Sequence, residues 1–428
     1  MATLLHTSDW HVGKALGKVD RLADHRSALE AVVAAAREHR PDVILHTGDV
    51  FDGPRPGHEQ VQLAVSALRE LAAVAPTVVL AGNHDSQALF GVFNTLLATD
   101  APLRFIAKGR KPADGGIVQI ETGNGERIRI APLPFVHANR QVDWFGDPER
   151  FMGVYAERMR LICALLGGGL ADGHDPARDI LVFAAHVYVS GAIKAGSERA
   201  VHVSDDYAVE RAVLPGVSYI GLGHIHRPQQ LAGTPVTHYA GSLIPLDFGE
   251  AGEAKSLVLV EAAPGNVTRT HVLGIEAGRP LRELRGSLPE IERAAADVGK
   301  AIVRVAVISD DPIDNLQAIV RELVPDATIT EVLEDVASRR LEVLTPDTDH
   351  GERELTYEEL LDGYLANVGT GTAPAAQVRN LFASLRSGET DDRGLPPVAG
   401  LSDLLDAALP EPPAATDAST ASTQRVGA

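Results

Sequence analysis

The stretch TLLHTSDWHVGK, residues 3–14, decides how this chain is read. Residues 3–6 read as a strand, and Asp9 and His11 follow where that run ends. On extended backbone, side chains two positions apart point the same way, so a carboxylate and an imidazole are delivered together. Four more apolar runs end alike. Residues 43–46 lead into Gly48-Asp49-Val50-Phe51-Asp52, and residues 78–81 into Gly82-Asn83-His84-Asp85. Residues 180–185 lead into His186, and residues 219–222 into Gly223-His224-Ile225-His226.

Between the first three runs lie two helical patterns. Residues 27–40 carry Leu29, Val32, Val33 and Ala36, and residues 58–74 carry Val61, Val65, Leu68 and Leu71. Strand–helix–strand–helix–strand predicts an α/β fold with parallel strands and right-handed crossovers. Ligands bind at the carboxyl ends of strands in such sheets, so five distant clusters are expected to meet in one crevice. Asp, Asn and His without Cys offer oxygen and imidazole donors suited to manganese, iron or zinc. Gly48, Gly82 and Gly223 are expected to let the chain turn sharply as it delivers each ligand.

Composition bounds the rest. The chain has 428 residues, 45% of them hydrophobic and 23% charged, which suits a globular protein of two or three domains. It shows neither a basic leader nor an apolar run of about 18 residues, so a cytoplasmic protein without a membrane span is expected. Cys163, the single cysteine, rules out an internal disulfide and a multi-cysteine zinc site. It is expected in the core, on a helix. The net charge of −19 argues against holding DNA by a global basic field, so phosphate chemistry needs a local positive charge.

Beyond the first third the pattern is richer in strands. Residues 117–121 and 127–131 flank Gly123-Asn124-Gly125 as a hairpin, and a helix is expected over 151–166 with Gly167–Gly169 as a loop. Strands are expected at 235–239 and 256–261, and a boundary near Ala263-Pro264-Gly265. A helix at 284–295, a strand at 301–308, a helix at 315–323 and a strand at 328–333 predict a small α+β unit. After a polar linker, helices are expected at 357–365 and 375–385. Tyr357, Leu360, Leu361, Tyr364 and Leu365 form one apolar stripe; Val378, Leu381, Phe382 and Leu385 form another, to pack internally or dock a partner. From Glu389 onward, seven acids face two arginines in a Pro-, Ala-, Ser- and Thr-rich tail that is expected to be disordered.

Together these motifs resemble the full set of the calcineurin-like metallophosphoesterases. Within that superfamily, HTSDWHVGK, GDVFD, GNHDS, AHVYVSG, GLGHIHRPQ and YAGSLIPLDFGE resemble the nuclease subunit of the bacterial SbcCD complexes. The resemblance implies a two-sheet α/β/β/α sandwich over residues 1–265, an α+β capping domain over 266–345, and a linker and ATPase-docking helical pair over 346–388. The acidic tail, 389–428, lies outside it. It also implies that Asp9, His11, Asp49 and His226 hold one metal ion, and that Asp49, Asn83, His186 and His224 hold a second, with Asp49 bridging. His84 would face the scissile phosphate, and Asp85 would set its tautomer and orientation. Mn2+ is the expected metal, with Mg2+ or Fe2+ as alternatives.

The implied function is a two-metal DNA nuclease subunit. It would be a 3'–5' double-strand exonuclease and a single-strand and hairpin endonuclease, working by attack of metal-bound hydroxide in DNA repair, recombination and replication. The partners would be DNA ends and hairpins and an SbcC-type ABC ATPase with a long coiled coil, in a heterotetramer containing a homodimer of this chain. ATP would belong to that partner, because no Gly-x-x-x-x-Gly-Lys-Ser/Thr loop occurs here. Two divalent ions, two carboxylates and one hydroxide would leave the site at about +1, enough to welcome a phosphodiester. Two rivals stand beside this reading: a stand-alone phosphoesterase for small phosphoesters or cyclic nucleotides, and a scaffold without catalysis.

Other residues are read more plainly. His6 and His46 are expected to satisfy hydrogen bonds within the core, and Trp10 to pack beside the site rather than stack on a base. Asp52 either supports the site or caps a turn. Lys14, Lys194, Arg199 and Arg227 are phosphate contacts or solvated charges.

Overall fold

The computed structural model describes residues 1–97, 101–137, 155–198, 207–336, 356, 359, 361–363, 365 and 372–387. The chain begins with β1 (Ala2–Thr7), α1 (Leu22–His39), β2 (Val43–His46), α2 (His58–Val74), β3 (Thr77–Leu80), α3 (Gln87–Leu96) and β4 (Leu103–Ile106). Next come β5 (Val118–Glu121), β6 (Arg127–Leu133), α4 (Tyr155–Ala171), β7 (Asp179–His186), β8 (Tyr219–Gly223), β9 (Gln229–Leu231) and β10 (Val236–Tyr239). A hairpin of β11 (Lys255–Ala262) and β12 (Arg269–Ile275) follows. Last in this first compact unit, Met1–Ala337, are β13 (Leu281–Gly286), α5 (Leu288–Ala295), β14 (Ile302–Ser309), α6 (Leu316–Leu323) and β15 (Thr328–Val336).

Two six-stranded mixed sheets carry the fold. The first has the order β12-β11-β1-β2-β3-β4, with β1 to β4 parallel. The second has the order β5-β6-β7-β8-β10-β9, with β6, β7, β8 and β10 parallel. The period of two along each strand sorts its side chains between two cores. Leu4, Val43, Leu45, Val78 and Leu80 of the first sheet share one apolar cluster with Ile128, Ile130, Ile180, Val182 and Tyr219 of the second. Their neighbours Leu5, Ile44 and Val79 pack the other way, on Leu29 and Val32 of α1 and Leu68 and Leu71 of α2. On the far side, Phe183, Ala185, Ile220 and Leu222 pack on Met159, Ile162, Cys163 and Leu166 of α4. Helices therefore cover the outer face of each sheet, and the sheets face each other. Burial raises the Cys163 thiol to about 12, which leaves it an inert core group.

Several boundaries moved. The turn at 263–266 joins two strands of one sheet, since β12 pairs with β11, and the third sheet starts only at Leu281. That sheet is β13-β14-β15, all parallel, connected by α5 and α6 as βαβαβ rather than as the expected α+β pattern. Residues 284–286, expected to open a helix, end β13 instead, because Ser287 and Glu290 form a capping box that starts the helix after them. The root of this sheet is tied to α1. Arg279 donates to Asp24 from Nε and Nη2, both at 3.0 Å, and Asp24 also accepts from the buried Arg21.

In the second unit, Ser338–Ala428, α7 (Thr372–Ser387) contains the second expected helix, and Arg379 Nε meets Asp362 at 2.5 Å. Residues 359, 361–363 and 365 of the other expected helix are helical. Tyr357, Leu360, Tyr364 and the tail 389–428 lie outside the described residues, as do Arg199 and residues 151–154.

The expected loop at Gly167–Gly169 lies inside α4. A Cβ on Gly169 would sit 2.3 Å from Pro112 Cγ, whereas one on Gly168 would meet nothing within 4 Å. Gly167 and Gly169 serve close packing, not chain reversal, and Gly168 faces open space. Two neighbouring substitutions should then have opposite signs. Gly168→Ala should stabilise the protein by up to about 1 kcal/mol, the helix-propensity gain. Gly169→Ala should destabilise it by roughly 1–3 kcal/mol through overpacking. Urea-denaturation midpoints of the two variants check this.

Candidate metal centre

Each cluster sits where its strand stops. Beyond the end of β1 the chain keeps running beside the chain leaving β2: Asp9 N–H donates to Gly48 O at 2.9 Å, and His11 N–H to Asp49 O at 3.0 Å. Asp9 (φ 49°), His11 (φ 46°), Asp49 (φ 57°) and His224 (φ 100°) are four of the six non-glycine residues with positive φ among the described residues. Such backbone costs on the order of 1–3 kcal/mol per residue and gathers where function demands it.

All seven expected ligands come together, each no more than 8% exposed. Asp49 is central. Its Oδ2 lies 3.4 Å from His11 Nε2 and 3.4 Å from His186 Nε2, and its Oδ1 accepts the His84 N–H at 2.8 Å. Asn83 Oδ1 lies 2.9 Å from His186 Nε2 and 2.8 Å from His224 Nδ1. On the other side, ligand atoms of Asp9, His11 and His226 fall within 4.8 Å of one another, as do those of Asp9, Asp49 and His186. Asp9 also accepts the His224 N–H at 3.0 Å, which links the two sheets at the centre.

The glycines did not all behave as expected. Gly48 has φ 110° and does turn the chain. At Gly82 the need is room: a Cβ there would lie 2.1 Å from Asp49 Oδ1.

Charge in the pocket is tightly balanced. Burial would raise the Asp49 carboxyl, but the imidazoles of His186, His84 and His11 outweigh it and hold it well below the usual range. Burial takes Asp9 up to about 6. Burial would lower His186, but the carboxylates of Asp49 and Asp9 carry it up to about 9. Without a cation, a proton on His186 offsets these carboxylates.

The donor set fits a pair of divalent ions. Neither ring nitrogen of the buried His11 makes a well-formed hydrogen bond; carboxylate oxygens of Asp49 and Asp52 stand off at 3.4 and 3.3 Å, and a cation between Nε2 and Asp49 would satisfy both groups. The Thr47 carbonyl, 2.8 Å from His186 Nδ1, can only accept; it therefore places a proton there and leaves Nε2 to a metal.

A family model for calcineurin-like phosphoesterases matches residues 2–228. This chain belongs to that family. It is a metal-dependent phosphoesterase, with buried His and Asp groups suited to a dimetal site. The D subunit of the SbcCD nuclease of Escherichia coli K12 is 26% identical over 397 residues, covering 89% of this chain and 97% of that protein. The subunit of the same name from Rhodobacter capsulatus is 31% identical, covering 67% and 74% respectively. Among solved structures, a dimetal phosphatase from Danio rerio covers 64% of this phosphoesterase and 97% of its own chain, at 10% identity and a TM-score of 0.40.

Around the ligands, some expectations change. Asp85 does not orient His84. Its carboxylate accepts the N–H groups of Val50 (3.2 Å), Phe51 (3.1 Å) and Gly82 (3.0 Å), pinning the second and third loops together. The carbonyl of Asp52, 2.6 Å from His84 Nδ1, holds that ring instead. The Asp52 carboxylate lies 3.3 Å from His11 Nδ1 and 3.6 Å from Lys14 Nζ. Trp10 is buried, with its Nε1 donating to Thr7 Oγ1 at 2.8 Å. His6 bridges Tyr219 and Thr47, both at 2.9 Å, and His46 Nδ1 accepts from Gly48 N. Arg227 pairs with Glu253, and Lys194 lies over the Tyr188 ring. Sequence reading passed over Ser197, Glu198, Glu250 and Lys255, which surround His226; a lysine and glutamates this deeply buried mark such positions only once the fold is known.

Two outcomes follow from this geometry. Gly82→Ala should displace Asp49 and lower Mn2+ affinity at least tenfold, read by calorimetry on a protein whose circular dichroism is unchanged. Mn2+ binding must expel the His186 proton, so affinity should rise with pH, about tenfold per unit between pH 6.5 and 8.5. Against the effect of burial, neighbouring carboxylates also raise His226, so calorimetry in buffers of different ionisation enthalpy should report at least one proton released; none released would contradict the charge balance described above.

Proposed function

We propose that this phosphoesterase is the DNA-cleaving subunit of an SbcCD-type complex. The observation that carries the reading is the gathering of Asp9, His11, Asp49, Asn83, His186, His224 and His226 in one buried place, with His84 beside them. Asp9, His11, Asp49 and His226 would hold one ion, and Asp49, Asn83, His186 and His224 the other; Mn2+ suits this oxygen and imidazole set. Bound there, the ions would neutralise a phosphodiester and bring the pKa of a water near neutrality.

The chain's own contribution is positional. Because the Asp52 carbonyl can only accept, His84 carries a proton on Nδ1 and turns Nε2 to the substrate. From there Nε2, when protonated, supplies a proton to the departing ribose oxygen. A cavity beside Asn83 and Asp85 is lined by Arg104, Lys108 and Arg110, three cations that suit a polyanionic strand on a protein of net charge −19.

In this proposal the nuclease domain runs from residue 1 through β12, past the expected boundary at 265, and the third sheet, residues 281–336, is the cap. The helical region within 346–388 docks an SbcC-type ABC ATPase with a long coiled coil. The chain works as a homodimer within the heterotetramer, as a 3'–5' exonuclease on duplex ends and an endonuclease on hairpins, in repair, recombination and replication. It would act in the cytoplasm; among the described residues no helix is long and apolar enough to cross a membrane.

The test uses Mn2+ with linear duplex and hairpin DNA, with and without the co-expressed ATPase. Wild type should cleave both. His84→Ala should lose about 10²–10⁴-fold in rate while metal analysis still finds two ions; Asp49→Ala should lose both ions and cleavage. Turnover of a small diester with no cleavage of DNA in either setting would favour the stand-alone phosphoesterase.

A further inference from the structure

His226 is held from behind more thoroughly than a loop histidine requires. Its N–H donates to Glu198 Oε1 at 3.1 Å, and its carbonyl accepts from Ser242 N at 3.0 Å and Lys255 Nζ at 3.2 Å. Its ring Nδ1 meets the hydroxyl of Ser197 at 2.5 Å, and that hydroxyl in turn meets Glu250 Oε1. Glu250 is fully buried. Its other oxygen accepts from Lys255 Nζ at 2.5 Å, Leu246 N at 3.2 Å and Ser242 Oγ at 3.3 Å.

We infer that Ser197 and Glu250 are positioning residues for the metal centre, forming a relay that fixes the tautomer of His226. A carboxylate only accepts, so the single Ser197 proton points at Glu250. The Ser197 oxygen is then left to accept, and the only ring proton that can satisfy it sits on His226 Nδ1. That leaves Nε2 with a free lone pair on the side of Asp9 and His11, where a ligand nitrogen is needed. Lys255 and the Leu246 N–H keep the charge on Glu250 compensated in a buried place, so the relay does not reverse.

This inference rests on the dimetal reading above and reaches residues that reading does not use. Partners that orient a ligating histidine are typically worth 10–100-fold in metal affinity. The test is Mn2+ calorimetry on the full-length chain, with the unfolding midpoint in EDTA as a control for folding. Ser197→Ala should weaken one of the two binding steps 10–100-fold, leave the other within about threefold, and leave the metal-free midpoint unchanged. Ser197→Thr, which keeps the hydroxyl, should restore the affinity. Because removing Glu250 alone strands a buried lysine, the second variant is the pair Glu250→Leu with Lys255→Met, which takes away the acceptor of the Ser197 proton and should weaken the same step. Equal two-ion binding by wild type, Ser197→Ala and the pair overturns the relay alone. A wild-type chain that binds no Mn2+ overturns the relay and the dimetal reading together.

Discussion

Keeping the Asp49 carboxylate ionised while 1% of it is exposed is the constraint around which the centre is built. Such burial by itself drives a carboxyl toward its neutral form. Three imidazoles from three different loops reverse that, and the His84 N–H adds a hydrogen bond to the same group. The compensation needs close approach. It explains why the position facing Asp49 is a glycine, and why Asp49 itself sits in the left-handed region. Removing this carboxylate would leave His11 and His186 without the group they share.

The fold supplies the rigidity this demands. Parallel strands β1, β2 and β3 of one sheet, and β7 and β8 of the other, end at the centre, and the shared core of Leu4, Leu45, Val182 and Tyr219 fixes the spacing of the sheets. Their loops are fastened to each other rather than left to solvent. Asp85 takes three backbone N–H groups from two of them, and Asp9 takes the N–H of His224 across from the second sheet. Strained backbone at Asp9, His11, Asp49 and His224 persists because these bonds over-determine it.

Global and local charge point in opposite directions. The chain carries −19, yet within the pocket a proton on His186 already stands in for positive charge, and Arg104, Lys108 and Arg110 line the adjoining cavity. Local fields of this kind decide what enters a site, because charges farther away are screened within about 10 Å at ordinary ionic strength. A strongly acidic protein can therefore handle phosphates at one place on its surface.

The amino-acid sequence by itself determined the strand-and-ligand pattern: the ends of β1, β2, β3, β7 and β8 and the residues just beyond them were legible because a strand and its following loop are local. The core place of Cys163 was legible for the same reason, and so were Leu68 and Leu71 of α2, whose buried face otherwise consists of Leu63, Ala64 and Ala67 rather than the expected Val61 and Val65. The tertiary structure decided what depends on approach through space. It assigned Gly82 and Gly169 to close contacts, took Asp85 from His84 and gave that ring to the Asp52 carbonyl, and made βαβαβ of residues 281–336. It also brought Ser197, 29 residues before His226, and Glu250, 53 residues after Ser197, to one hydroxyl. No periodicity encodes such a meeting, since a hydrogen bond between loops is set by how the sheets pack and not by the order of residues along either strand.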